Sequence, residues 1–267
     1  MARVSVVMSV FNGERFLREA VDSILGQTYR DLELIVIDDG STDGSGEILA
    51  RRRQADARLR VFPQANMGLT RSLNRGVELS TGEYVARMDA DDLSEPRRFE
   101  HQVAFMDAHP DVGLLGTAYR EIDGEGRVLG TKVFPTDDRA LRAALIRYNP
   151  FFHASVLLRR EVFAAVGLYD PAWPSVEDYE LWLRVAQRFR LANLEEPLGM
   201  RRYDGVNISI RRDNEQLLWS MRLRWAAIRR GQYPPSGVVH LARPMVAWLT
   251  PTGLRNAVRR RVLGRSF

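Results

Sequence analysis

The sequence contains no cysteine, and Lys132 is the single lysine among its 39 basic residues. Disulfides, thiolate metal sites and cysteine nucleophiles are therefore excluded. Continuous runs of roughly 18 to 20 apolar residues, which membrane-spanning helices need, are also absent. The short apolar run at residues 1–10 meets Asn12 and Gly13, which suits a first β-strand better than an export signal. We therefore expect a cytoplasmic protein.

Acidic residues are missing from the end of the chain. All 34 acids lie at or before Glu215, whereas ten arginines follow Gln216. Residues 233–237, with two prolines and a glycine, mark the clearest boundary in the sequence. We therefore predict a globular body over residues 1–232 and a basic, helical C-terminal tail over residues 233–267.

The basic tail has two interpretations. Residues 256–263 have the pattern of a short basic amphipathic helix, and such helices lie on anionic membranes. Alternatively, the tail is a helix packed on the body with a solvated face, or a frayed terminus. Nucleic acid is not an expected partner, because the excess basic charge is confined to the tail and no recognised nucleic-acid module accompanies it. We expect peripheral contact with the inner face of the cell membrane.

Apolar, strand-like segments alternate with segments of helical period. The predicted strands cover residues 4–10, 32–37, 59–62 and 84–88, and the predicted helices cover residues 14–25, 41–53, 69–79, 96–108, 138–147 and 177–189. Strands that alternate with helices of this length predict βαβ units, in which helices cover both faces of a mostly parallel sheet. Ligands of such folds bind beyond the carboxyl ends of the strands. The acidic clusters at residues 38–39 and 89–92 should therefore face one cleft.

The first acidic cluster, Asp38 and Asp39, follows a predicted buried strand. One interpretation is a strand-to-helix turn in which Ser41 or Asp43 caps the next helix. The other is a carboxylate that accepts hydrogen bonds from a nucleotide base or from ribose hydroxyls. A dinucleotide site would need Gly-x-Gly-x-x-Gly after the first strand, and residues 11–14 lack that pattern, which argues against NAD.

The second cluster holds three carboxylates within four residues, Asp89, Asp91 and Asp92. Such groups repel one another unless a cation or solvent screens them. Mg²⁺ and Mn²⁺ prefer oxygen ligands, and an i, i+2 spacing in an extended chain points two carboxylates to the same side. The sequence therefore predicts a site for Mg²⁺ or Mn²⁺. The alternative is a solvated acidic turn before the next helix.

The third acidic pair, Glu177 and Asp178, opens a predicted amphipathic helix. Acids at this position are favoured by the helix dipole, so simple capping is one interpretation. A carboxylate near a reacting hydroxyl is the other, because it can take the proton of that hydroxyl as a general base.

These motifs occur in a fixed order along residues 2–210. They are residues 4–12, residues 34–43, Asn66-x-Gly68-Leu69 with Arg71, Asn74-x-Gly76, residues 81–84 leading to Asp89-Ala90-Asp91-Asp92, His153-x-Ser155, and Glu177-Asp178. The ordered set resembles family 2 glycosyltransferases of the GT-A fold. The resemblance implies an α/β fold, with a Rossmann-like, mixed and mainly parallel sheet flanked by helices. It also implies a nucleotide-sugar half over about residues 1–115 and an acceptor half over about residues 116–210.

The resemblance implies an inverting, metal-dependent transfer of a sugar from a nucleoside-diphosphate sugar to a hydroxyl group. The implied nucleotide-sugar ligands are Ser9, Asn12, Asp38, Asp39, Arg71, Asp89 and Asp91. The implied ligands of Mg²⁺ or Mn²⁺ are Asp91, Asp89 and Asp92. Asp178 would be the catalytic base, and the groups near the diphosphate or the acceptor would be His153, Glu177 and Arg201.

One segment departs from the family pattern. Many relatives carry Tyr-Arg-x-His before the last strand of the site, and Tyr203 stands here in place of that histidine. We therefore do not assign the role of that histidine to Tyr203. Arg201 or Arg202 remains a candidate for neutralising the negative charge of a phosphate.

Two other functions were weighed against glycosyl transfer. A sugar-phosphate nucleotidyltransferase should show a glycine-rich loop after the first strand, which this chain lacks. A non-catalytic nucleotide-sugar-binding subunit would not need both Asp91 and Asp178. The sequence does not specify the nucleotide, the sugar or the acceptor. A saccharide or lipid-linked acceptor in bacterial polysaccharide or glycolipid assembly is expected by resemblance.

Overall fold

The computed structural model describes residues 2–203 and 213–250. The strands are β1 (Val4–Val10), β2 (Leu32–Asp38), β3 (Leu59–Pro63), β4 (Tyr84–Asp89), β5 (Leu93–Ser94), β6 (Val112–Asp123), β7 (Val128–Lys132), β8 (Leu157–Arg159) and β9 (Arg190–Tyr203). The α-helices are α1 (Glu14–Leu25), α2 (Ser45–Ala55), α3 (Leu69–Leu79), α4 (Arg98–Ala108), α5 (Asp138–Leu145), α6 (Arg160–Val166), α7 (Glu177–Val185), α8 (Asp213–Arg229) and α9 (Ala242–Leu249). Short 3₁₀ helices cover His153–Ser155 and Pro235–Leu241.

The strands form one mixed sheet in the order β3-β2-β1-β4-β8-β6-β9-β5, and β7 pairs with β6. The pairs β3-β2, β2-β1, β1-β4 and β6-β9 are parallel, whereas β8, β7 and β5 pair antiparallel with their neighbours. The first four strands in this order come from the βαβ segments that the sequence predicts. The predicted fold class, a mainly parallel sheet flanked by helices, is confirmed.

Two hydrophobic cores cover the two faces of the sheet. Side chains alternate along β1, so Val6 and Met8 lie in the core that includes Leu17 of α1, whereas Val7 lies in the core that includes Leu73 of α3. Both faces are therefore buried, which explains why β1 and β2 read as nearly continuous apolar runs. The strand ends are the part of the sheet left to bind a ligand.

Several predicted helix ends are wrong. Helix α2 begins at Ser45 rather than at residue 41, and Gly44 is its N-cap residue instead of Ser41 or Asp43. Asp43 accepts the backbone N–H of Ser45 at 3.0 Å, so its side chain stabilises the turn that precedes the helix. Helices α4, α5 and α7 are also shorter than predicted, because the flanking residues form turns.

The C-terminal helices pack on the body through α8. Leu223 and Ala227 of α8 are buried in the same core as Tyr179 of α7, and Gly237 lies against Ile228. No helix within residues 2–203 and 213–250 combines the length and apolar character needed to cross a bilayer. The predicted basic helix at residues 256–263 lies outside the described residues.

Gly76 allows α3 to pack closely on β1. A Cβ atom at this position would lie 2.3 Å from Val7 Cγ1, well inside contact distance. We expect Gly76→Ala to lower the free energy of unfolding by about 1–2 kcal/mol, because overpacking outweighs the higher helix propensity of alanine. Urea denaturation measures this change. The matched control is Gly46→Ala in α2, where the nearest atom is 3.9 Å away, and equal stability of the two variants would contradict the packing argument.

Candidate active site

Acidic residues flank the carboxyl end of β1 on both sides. Val10 is paired with Asp38 of β2, and Ser9 is paired with Asp89 of β4. The parallel register therefore brings the two acidic clusters to the same edge of the sheet, as the sequence predicts. Ser9 lies between them and is partly buried.

Asn12 ties the loop after β1 to the loop after β2. Its Oδ1 accepts the backbone N–H of Thr42 at 2.8 Å, and its own N–H donates to Ser41 Oγ at 3.0 Å. Asn12 adopts φ +52°, a left-handed conformation that asparagine tolerates better than most residues. Glu14 adds a second link, since its carboxylate accepts the Gly44 N–H at 2.7 Å. Asn12 thus shapes one wall of the candidate site.

Asp39 organises the loop that leads into α3. It is buried and accepts hydrogen bonds from Gln64 Nε2 at 2.7 Å, from the Met67 N–H at 2.8 Å and from the Gly68 N–H at 2.9 Å. Gly68 is the N-cap residue of α3, so Asp39 fixes the start of the helix that carries Arg71. In this ligand-free arrangement Asp39 has a structural role, whether or not it also contacts a nucleotide.

Asp38 and Arg71 are more accessible than Asp39. Asp38 is partly exposed, and its Oδ1 accepts the Ser41 N–H at 3.0 Å. Arg71 is exposed in the first turn of α3 and forms no ion pair within the described residues. A cation at this edge of the sheet is suited to an anionic ligand.

The predicted carboxylate cluster forms at the end of β4. Asp89, Asp91 and Asp92 each present a carboxylate oxygen, and these oxygens lie within 4.8 Å of one another. A divalent ion with ligand distances of about 2.1 Å keeps its ligands no more than about 4.2 Å apart, so small side-chain rotations would suffice to bind one. The all-oxygen donor set fits Mg²⁺ or Mn²⁺.

Asp92 lies deepest in this cluster. Burial, together with the charges of Asp91 and Asp89, raises the pKa of its carboxyl group well above the usual value. Its Oδ1 accepts the backbone N–H of Arg202 at 2.8 Å. A bound cation would relieve the repulsion among the three groups.

Arg87 is a residue of the candidate site that the sequence analysis does not identify. It lies inside β4, is almost fully buried and forms an ion pair with Asp89. Its Nε atom is buried without a hydrogen-bond partner. The sequence signal was a charged residue within an otherwise apolar strand, two positions before Asp89 and therefore on the same face.

Asp178 lies at the start of α7 with its carboxylate held in place. Its Oδ2 accepts a hydrogen bond from Asn149 Nδ2 at 2.7 Å, and its Oδ1 accepts the Tyr179 N–H at 2.7 Å. The side chain is 17% exposed. Burial raises the pKa of Asp178, while these hydrogen bonds and the charge of Arg87 oppose that rise. A desolvated, partly accessible carboxylate of this kind can accept a proton.

Glu177 is the second acid of the pair and is buried. Its burial and the neighbouring charge of Asp178 raise the pKa of Glu177 to about 7. Both acids lie in the first turn of α7, where the helix dipole favours negative charge, and neither is fully exposed.

His153 lies beside Asp178 as a neutral ring. Burial and the charge of Arg87 lower the pKa of His153 well below its ordinary value, so the 4.0 Å separation from Asp178 is not an ion pair at neutral pH. The other ring nitrogen, Nε2, is 3.0 Å from the Tyr169 hydroxyl. His153 therefore lies beside Asp178, and as a neutral ring it does not supply positive charge for a diphosphate.

The two C-terminal arginines of β9 have different surroundings. Arg202 is buried, stacks on Phe16 and donates to Glu19 at 2.8 Å and to the Asp91 carbonyl at 3.0 Å, which is a structural role. Arg201 is partly exposed, with its guanidinium 4.9 Å from the Tyr203 ring centroid. Because β5 pairs with β9, Arg201 lies within the electrostatic field of Asp92.

The acids at the start of α7 lie near the end of β4. The Arg87 N–H in β4 donates to the Val156 carbonyl at 3.2 Å, next to the short helix His153–Ser155, and His153 Nδ1 is 4.0 Å from Asp178 Oδ2. Arg87 also forms the ion pair with Asp89. Arg87 and His153 therefore connect the carboxylates after β4 to those at the start of α7, although about 85 residues separate them in sequence.

Comparison with known sequences identifies the family. The sequence model of "Glycosyl transferase family 2" matches residues 5–167. "Putative glycosyltransferase EpsE" of Bacillus subtilis is 34% identical over 95% of this chain and 92% of its own length. "Amylovoran biosynthesis glycosyltransferase AmsE" of Erwinia amylovora is 35% identical over 68% of each chain.

Solved structures share the fold. TarS of S. aureus, in complex with UDP-GlcNAc, has a TM-score of 0.67 and 18% identity, with 93% of this chain and 72% of that chain covered. The mannosyltransferase PcManGT of Pyrobaculum calidifontis, in complex with GDP-Man and Mn²⁺, has a TM-score of 0.64 and 19% identity, with 97% and 79% covered. The chain belongs to glycosyl transferase family 2 and is a glycosyltransferase.

Proposed function

We propose that the protein transfers a sugar from a nucleoside-diphosphate sugar to a hydroxyl group with inversion at the anomeric carbon, and that the reaction depends on a divalent metal ion. The observation that supports the proposal is that Asp178 and the cluster of Asp89, Asp91 and Asp92 are linked through His153 and Arg87. A cation held by the cluster could stabilise the leaving diphosphate, and Asp178 could accept the proton of the acceptor hydroxyl.

In the proposed reaction, Asp178 accepts the proton of the acceptor hydroxyl through its carboxylate. The hydroxyl oxygen forms a bond to the anomeric carbon as the bond from that carbon to the diphosphate oxygen breaks. The electron pair of the broken bond leaves with the nucleoside diphosphate. Attack opposite the leaving group inverts the anomeric configuration. Asn149 holds one oxygen of Asp178 during this step, which keeps the other side of the carboxylate in a fixed orientation.

The leaving diphosphate gains negative charge that the site must stabilise. Asp89, Asp91 and Asp92 would hold Mg²⁺ or Mn²⁺, which stabilises such a leaving group by several kcal/mol in typical metal sites. Arg71 is exposed and Arg201 is partly exposed. We propose that they contact the phosphates, while Ser9, Asn12, Asp38 and Asp39 line the nucleoside side.

The biological setting is part of the proposal. The name of the relative AmsE refers to amylovoran biosynthesis, which supports a role in assembling a bacterial polysaccharide or glycolipid. The two fold neighbours bind different nucleotides, UDP and GDP, so the fold leaves the base open. We propose a saccharide or lipid-linked acceptor, and peripheral association of the enzyme with the anionic inner face of the cell membrane.

Donor binding should depend on both the metal and Asp91. We expect Mn²⁺ together with the correct nucleotide sugar to raise the melting temperature of the wild-type protein, since a ligand at 100 times its Kd adds about 2.7 kcal/mol. The same additions should have little effect on Asp91→Ala. A thermal-shift screen of UDP, GDP and dTDP sugars measures this, with and without Mn²⁺.

The matched control for this screen is Asp111→Ala, because Asp111 forms an exposed ion pair with Arg190 away from the cluster. It should keep the wild-type response. Stabilisation by a donor that is equally large in EDTA, or equally large in Asp91→Ala, would count against metal-dependent donor binding.

A further inference from the structure

Exposed apolar side chains concentrate near the C-terminus of the described chain. Fourteen large apolar residues are exposed within residues 2–203 and 213–250, and seven of these lie between positions 225 and 249. Six of the seven form what we term the apolar patch, on the Pro235–Leu241 segment and α9. Its members are Val238, Val239, Met245, Val246, Trp248 and Leu249. Val246 and Leu249 are 63% and 68% exposed.

The charge around this patch has one sign. Residues 235–249 contain no acid and include the exposed Arg243, and Arg222 and Arg229 on the preceding helix α8 and Arg230 just after it are also exposed. Such a surface combines exposed apolar side chains with positive charge. It is suited to a partner that has an apolar interior and an anionic surface. The headgroup region of an anionic bilayer has both properties, and each basic side chain near it is attracted.

The same charge argues against a second copy of this chain as the partner. A symmetric contact would bring Arg243 of one patch toward Arg243 of the other, and residues 235–249 contain no carboxylate to pair with it. Trp248, 42% exposed, adds an amphipathic ring of the kind that is enriched where membrane and water meet.

We propose that the apolar patch and its arginines are a docking surface for an anionic phospholipid bilayer. This inference rests on the proposed function in one respect: a lipid-linked acceptor would give the enzyme a reason to dock on a membrane. The patch is joined to α8, because Arg224 donates to the His240 carbonyl at 3.2 Å. Helix α8 is in turn joined to α7 and the loop before it, because the Arg224 guanidinium lies 5.9 Å from the Tyr179 ring centroid and the ring centroids of Trp219 and Trp173 are 6.1 Å apart. Docking would therefore hold α7, with Asp178 at its start, at a fixed distance from the bilayer.

Vesicle co-sedimentation of the full chain tests this proposal. We expect binding to vesicles that contain phosphatidylglycerol, weaker binding to phosphatidylcholine alone, and loss of binding at high salt. The double variant Val246→Gln/Leu249→Gln should bind at least about tenfold more weakly, because it removes apolar area without changing charge. The matched control is Val128→Gln/Leu129→Gln on β7, which changes the same two residue types at exposed positions of the body.

Three outcomes would overturn the proposal. They are binding that does not depend on anionic lipid, equal loss in the β7 control, and a wild-type dimer that the patch variant converts to a monomer without any vesicle binding. The patch variant should keep the thermal shift caused by donor and Mn²⁺. The thermal shift therefore separates the two proposals. If only docking fails, the wild type still shows the shift; if the glycosyl-transfer proposal fails, the wild type shows no shift.

Discussion

Asp178→Asn should lower kcat by about 10²- to 10⁴-fold while donor affinity stays close to that of the wild type, because a general base contributes a factor of this size. The substitution removes the proton acceptor and keeps the size of the side chain. Its amide oxygen can still accept from the Tyr179 N–H, whereas its amide nitrogen cannot accept the hydrogen bond that Asn149 donates to the carboxylate. Steady-state transfer to a defined acceptor gives kcat, and nucleotide titration in the presence of Mn²⁺ gives affinity.

The pH dependence of the wild-type enzyme should follow from the same residue. Only the carboxylate form of Asp178 accepts a proton, and burial raises its pKa. Activity should therefore be lost as pH falls through this raised pKa, at higher pH than for an exposed aspartate. Burial and the neighbouring charge of Asp178 raise the pKa of Glu177 to about 7, and because the two charges interact, the two acids titrate as a pair.

A matched control separates the base from its surroundings. Asp170→Asn makes the same chemical change in the loop before α7, where Asp170 accepts the Ala172 N–H at 2.9 Å. It should transfer sugar at nearly the wild-type rate. If Asp178→Asn turned over within about threefold of the wild type, the assignment of the base would be wrong.

The elements that the sequence predicts best are those with strong local patterns. The bounds predicted for β1, α1 and α3 agree with the structure, because each combines a clear apolar period with a turn signal at its ends. The convergence of Asp38 and Asp89 was also predictable, since parallel strands bring their carboxyl ends to one edge.

The remaining features depend on contacts between distant residues. The three hydrogen bonds that Asp39 accepts come from residues 64–68, which only the folded loop brings near. The neutral state of His153 follows from burial and from Arg87, and neither is visible in a local pattern. The short β5–β9 pairing, which brings Arg201 toward Asp92, has no sequence signature because β5 has only two residues.

Arg87 forms an ion pair with Asp89, and its charge also acts on Asp178 and Glu177. Arg87→Met removes the charge but keeps a long side chain, so Asp89 loses its partner. Removing one member of a buried ion pair costs about 3–5 kcal/mol, and we expect a loss of about 3 kcal/mol because Asp89 is 34% exposed. Urea denaturation measures the loss.

A second effect of Arg87→Met distinguishes an electrostatic role from a purely structural one. The charge of Arg87 lowers the pKa values of Asp178 and Glu177, against the burial that raises them. Without that charge, the acid limb of the pH profile of kcat should move to higher pH. The other titratable groups of this region, His153 and Tyr169, stay neutral near pH 7, because burial lowers the pKa of the histidine and raises that of the tyrosine.

Arg87→Lys provides the matched comparison. It keeps a positive charge in β4 but cannot reproduce the geometry of a guanidinium. It should lose some stability and yet keep the acid limb near its wild-type position, at saturating donor and Mn²⁺. If the methionine variant kept the wild-type profile, or if both variants shifted equally, Arg87 would act only by packing. A shift confined to Arg87→Met would mean that a buried cation between the proposed metal ligands and the proposed base sets the pH range in which this glycosyltransferase works.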